Sequence, residues 1–85
     1  MRYHNALWRA IGYIADKNNM TYSGLAVKCG LDATTFNISK HKTCHGQPRW
    51  ISTQTLAKIL TQTHTTPIEF AKIFQMYLDQ DEESK

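Results

Sequence analysis

Cysteine is scarce in this chain: Cys29 and Cys44 are the only two among 85 residues. That is too few for the disulfide framework that stabilises small secreted scaffolds, so free thiols in a reducing compartment are expected. Long hydrophobic runs are missing as well. The uncharged apolar stretch near the start, Ala10 to Ala15, is six residues long, where a spanning helix needs about twenty. The opening MRYHNALWRAIG carries charge inside its apolar part, which argues against a signal peptide or an anchor. The expectation is a cytoplasmic protein. Strand-like alternation of any length is absent, as are internal repeats, and 85 residues leave room for one domain. Acid is the other shortage, and it is local: between Phe36 and Ala57 there is none.

What is present is ordinary globular material, with 41% apolar and 20% charged residues and a net charge of +3. The charge is divided unevenly. Residues 1–50 carry a net +5 and residues 51–85 a net −2, an asymmetry that suits a polyanionic partner at one end of the molecule.

Apolar periodicity and capping residues divide the chain into five predicted helices, an all-α fold. The first runs from His4 to Asn18, with Leu7, Ile11, Ile14 and Ala15 on one face and Trp8 beside them. Thr21 caps a short second helix whose inner side is Leu25, Ala26 and Cys29, and Gly30 ends it in the left-handed conformation. Leu31 is expected as a buried spacer. Asp32 then caps a third helix, from Ala33 to about Ser39, with Phe36 inward. The segment KHKTCHGQPRWI breaks the periodicity as a basic loop. Ser52 caps the fourth helix, which holds Leu56, Ala57, Ile59 and Leu60 and ends at His64. Thr66, Pro67 and Glu69 spell a capping box with proline at the first helical position, opening a fifth helix that runs to about Asp79. Residues 80–85 are expected to be an acidic tail or linker after a domain formed by residues 1–79. The fifth helix is apolar on more than one side, which leaves burial between two helices and self-association both open.

Thr21 to Asn37, TYSGLAVKCGLDATTFN, resembles the helix-turn-helix of lambda-repressor-like, Cro-type DNA-binding domains. The features that match are a capped helix, Leu25-Ala26, the turn glycine Gly30, Leu31, the cap Asp32 and the apolar anchor Phe36. Further stretches, LWRAI, GLD with TTFN and SK after it, GQPRW with ST after it, and TPIEF, are similar to the N-terminal domains of phage-type, LexA-like repressors of alphaproteobacteria. The similarity spans roughly Leu7 to Phe74, and it departs from the pattern at Ile38 and Ile51, where proline is expected. Such repressors usually continue into a self-cleaving serine protease domain, none of whose residues is present here.

The resemblance implies that the third helix enters the major groove while the second crosses the backbone. The residue chemistry agrees with that assignment. Asn37 suits the adenine edge, Thr34 and Thr35 offer hydroxyl and methyl groups, and Ala33 and Ile38 offer apolar contact to thymine. Phosphates are expected at Tyr22, Lys40, His41, Lys42, Arg49, Ser52 and Thr53, combining charge with helix N-termini. The expected partner is operator DNA, and the fifth helix leaves a homodimer open as a second. No membrane and no small-molecule substrate is expected.

Other chemistries have less support. Cys29, His41, Cys44 and His45 match none of the paired spacings that preorganise tetrahedral zinc, so no metal or other cofactor is expected. Cys29 reads as a small core residue, and His4 and His64, at helix ends, read as surface positions. There is no nucleophile elbow, phosphate loop or carboxylate pair, so the chain is not expected to be an enzyme. The alternative to a transcriptional regulator is a small helical protein-interaction module, antitoxin-like or regulatory, that uses the fifth helix as its interface.

Overall fold

The computed structural model describes residues 2–37, 41 and 49–83. Four helices are formed among them: α1 (Arg2–Lys17), α2 (Tyr22–Lys28), α3 (Thr53–Gln62) and α4 (Pro67–Glu83). Among the described residues there is no strand, and no helix there is long and apolar enough to cross a membrane.

The helix starts follow side-chain chemistry. Thr21 Oγ1 accepts the Gly24 amide at 3.1 Å, and Ser52 Oγ accepts the Thr55 amide at 3.1 Å. At α4 the capping box closes in both directions. Thr66 Oγ1 accepts the Glu69 amide at 3.1 Å, and Glu69 Oε1 accepts the Thr66 amide at 3.4 Å.

The first three helices end in one common way. Asn19, Gly30 and His64 stand at φ of 58°, 77° and 53°, each just past a helix. The residue after each of them donates its amide five positions back. These bonds are Met20 to Ala15 at 2.8 Å, Leu31 to Ala26 at 2.9 Å and Thr65 to Leu60 at 3.0 Å. This is the Schellman arrangement, which satisfies carbonyls that a helix end would leave bare. Asparagine and glycine tolerate the left-handed conformation, whereas histidine carries its steric cost at position 64.

The core is built on α1, which packs mainly against α4. Leu7, Trp8, Ile11, Ile14 and Ala15 join Leu25, Ala26, Cys29, Phe36, Ile59 and Phe70 in one buried cluster. Cys29 is buried there as a small apolar filler, and burial raises its thiol above the ordinary value although Lys58 pulls the other way. Leu31 is half-buried rather than buried. Arg9 ties α1 to the far end of α4, donating to Gln80 Oε1 at 3.1 Å with its guanidinium 4.6 Å above the centre of the Tyr77 ring.

Two expectations are corrected. Among the described residues the expected third helix is not formed: residues 33–36 are a turn, and the helices there number four where five were expected along the chain. The turn is closed by three-residue bonds, Thr35 N–H to Asp32 O at 3.0 Å and Asn37 N–H to Thr34 O at 3.2 Å. Asp32 Oδ1 accepts both the amide and the hydroxyl of Thr34, at 2.9 and 2.7 Å. The cap is therefore made, but consecutive β-branched threonines lose rotamer freedom in a helix and one hydroxyl is already held locally. The fifth predicted helix corresponds to α4, which runs past Asp79 to Glu83. Ile38, Lys40 and Lys42 lie outside the described residues.

Candidate nucleic-acid interface

Polar and aromatic side chains of α1 hold two main-chain segments against the core. His4 is 4% exposed, and its Nε2 lies 2.9 Å from the His41 carbonyl and 3.1 Å from the Arg49 carbonyl. Two acceptors facing one nitrogen place the proton on Nε2. The Trp8 indole N–H is 3.1 Å from that same nitrogen and 3.1 Å from the Arg49 carbonyl. A protonated Nε2 cannot accept, so Trp8 donates to Arg49 O. The Arg49 amide in turn donates to His41 O at 2.9 Å. Residues 41 and 49 are thereby held side by side, each carbonyl receiving two donors.

The His41 ring completes the cluster. It stacks on Trp8 with centroids 3.8 Å apart and planes at 13°, and Tyr22 meets it edge-on at 5.6 Å. Its Nε2–H donates to the Phe36 carbonyl at 3.2 Å. Burial pushes the imidazole below its ordinary pKa. The Phe36 carbonyl works against that, and His4 adds to it. Phe36 is fully buried and meets Trp8 edge-on at 6.2 Å, so the turn and the first helix share one anchor.

Outward from this cluster the surface becomes polar. A hollow of about 170 Å³ is lined by Thr35, Arg49, Trp50, Ser52 and Thr55 over a floor that includes Trp8 and Phe36. Arg49, Ser52 and Thr53 are exposed. Trp50 is 48% exposed and rests one edge against His4 at 5.3 Å. Ala33 and Thr34 are exposed, and Thr35 and Asn37 are half-buried. The hollow thus joins one residue expected to read bases, Thr35, to two expected to hold phosphate, Arg49 and Ser52.

Other expected residues sit differently. Tyr22 is half-buried, and its hydroxyl donates to the Trp8 carbonyl at 3.1 Å. Burial raises that phenol above its ordinary value, and Asp16 and then Tyr77 push the same way. Its proton serves the α1–α2 contact. His41, expected at a phosphate, turns its ring onto Trp8 instead. His4, expected at the surface, is buried, because it lies four residues before Trp8 on the inward stripe of α1. That i, i+4 pairing was the signal available in the sequence, and it lacked only the two carbonyls that satisfy the imidazole. Among the described residues no three metal-ligating side chains stand together.

No family model, curated protein or solved structure matches the chain.

Proposed function

We propose that the protein binds double-stranded DNA in a sequence-specific way, through the face formed by the Asp32–Asn37 turn, Arg49 and the N-terminal end of α3. The observation that carries this reading is the hollow in which Thr35, Arg49 and Ser52 meet. A guanidinium and a helix N-terminus suit a phosphate. Threonine and asparagine side chains on the adjoining turn suit base edges. The sequence from Phe36 to Ala57 adds no acid to that face, and the carboxylate of the turn, Asp32, has its Oδ1 taken by the amide and hydroxyl of Thr34. A role as a phage-type transcriptional repressor rests on the sequence resemblance.

The reading element in this proposal is a tight turn pinned by Phe36, with any helical continuation through Ile38 belonging to the segment outside the described residues. Selection of bound duplexes from a random pool, followed by a salt titration of the winner, tests it. Four to six phosphate contacts give a log–log slope of roughly −4 to −5. Weak binding without an enriched motif would overturn the proposal.

A second reading draws on α4. Ile68 is 70% exposed and Met76 39% exposed, and Met76 shares a shallow surface with Lys72, Gln75 and Asp79. This face suits a protein contact, including a second copy of the chain. A dimer on DNA would space its half-sites about one turn, ~34 Å, apart. Sedimentation that finds monomer alone, both free and on a two-fold duplex, would remove the dimer.

A further inference from the structure

A buried histidine whose ring nitrogen faces main-chain carbonyls fixes the chain that carries them. His4 and Trp8 converge on one such atom, the carbonyl oxygen of Arg49, from donors 3.1 Å away in each case. Both come from α1, the helix at the centre of the core, and both rings are nearly fully buried. The same Arg49 donates its amide to His41 O at 2.9 Å, and His41 O also accepts from His4. The main chain of Arg49 is therefore fixed at both of its polar groups, while its side chain is exposed. Trp50, the next residue, leans on the His4 ring. Three residues beyond Arg49, Ser52 caps α3.

We infer that His4 is a positioning residue: by holding the Arg49 carbonyl to α1 it places the Arg49 guanidinium beside the N-terminal end of α3, where both face one anion. This rests on the DNA reading above for the identity of the anion, a backbone phosphate. The physical need is clear, because arginine has many rotamers and a main chain free to drift adds to what must be ordered on binding. Fixing the backbone at 49 removes part of that cost before the ligand arrives.

The experiment compares the full chain with His4→Phe, which keeps a ring of similar shape and loses the donor, and with His4→Gln, whose amide restores an N–H near the Nε2 position. Two readouts are taken. Amide exchange of Arg49 reports the clasp without any ligand, and the salt slope of duplex binding reports the Arg49 contact. His4→Phe is expected to speed exchange at Arg49 by about tenfold or more. It is also expected to reduce the magnitude of the salt slope by about one, as Arg49→Ala does. The double variant His4→Phe/Arg49→Ala should lose no more than Arg49→Ala alone, since the two act through one contact. His4→Gln should restore both readouts, and it decides the matter if His4→Phe does not fold. Unchanged Arg49 exchange in His4→Phe, additive losses in the double variant, or failure of His4→Gln to restore the readouts would overturn the inference. A parent chain without affinity for any duplex would overturn the DNA reading, and the exchange comparison would still decide whether His4 holds Arg49.

Discussion

Replacing Trp8 with phenylalanine measures how much of the fold depends on the aromatic cluster. Trp8 is 4% exposed, stacks on His41, meets Phe36 edge-on and donates to Arg49 O. Phenylalanine buries roughly 50 Å² less, which at about 25 cal/mol per Å² costs ~1.2 kcal/mol. The indole hydrogen bond contributes about 1 kcal/mol net. Loss of the His41 stack adds ~0.5–1 kcal/mol beyond area. Arg49 O keeps its His4 donor, so no orphaned carbonyl is added to the sum. The total is about 3 kcal/mol. A domain of this length has roughly 4–13 kcal/mol to lose, so the change is large. Urea unfolding followed by far-ultraviolet circular dichroism should show a lower midpoint at an unchanged slope. A loss under about 1 kcal/mol would refute the reasoning, because it would mean that the cluster does not hold α1 to the segment around residues 41 and 49.

Acid should weaken the fold through His41. Its folded pKa is depressed by burial, so below about 6.5 the unfolded chain binds more protons than the native one. The contribution is complete above that pH and is lost as pH falls through it. Among the described residues, the titratable groups that meet the ring are His4 from α1 and Tyr22 from α2, neither of them a carboxylate that would oppose the effect. Urea midpoints measured between pH 7.5 and 5.5 should fall in the parent and fall less in His41→Gln. Thr66→Ala removes one side of the capping box at α4 and should cost about 1 kcal/mol, a drop of ~4–8 °C in thermal midpoint by calorimetry. The left-handed helix ends make an opposed pair. Gly30→Ala should destabilise by about 1 kcal/mol although nothing crowds the site, and His64→Gly should stabilise by a fraction of that, both read by urea unfolding. On DNA, Arg49→Ala should weaken binding to all duplexes alike, whereas Asn37→Ala should cost ~1–3 kcal/mol at one base pair only. Equal losses on selected and random duplexes for Asn37→Ala would remove it from base reading.

The parts of the fold legible in the sequence were those governed by local chemistry. Thr21, Ser52 and Thr66 each cap where a polar oxygen precedes an apolar run, and Gly30 takes the positive φ its position demands. The stripe of α1 and the anchor Phe36 were equally plain, because burial there follows helical spacing. The segment after Asp32 was not, since its cap and apolar anchor fit a helix and a tight turn alike. What separates the two is where the Thr34 hydroxyl bonds. His4 was misread for a related reason. A polar ring at a helix end is a surface residue unless distant carbonyls reach it, and those of residues 41 and 49 arrive from roughly forty positions along the chain.

The pairing of α1 with α4 also sets the order in which the molecule can be made. Arg9 finds Gln80 across 71 positions, and the apolar side of α1 shares its buried cluster with Phe70 of α4. During synthesis α1 is made before α4, and the part of its apolar side that α4 covers stays open until the residues between them have followed. Local helices form within microseconds, but closure of the first helix on the last must come late. A ribosome that stalls before α4 leaves that part of α1 open to whatever binds nascent apolar segments.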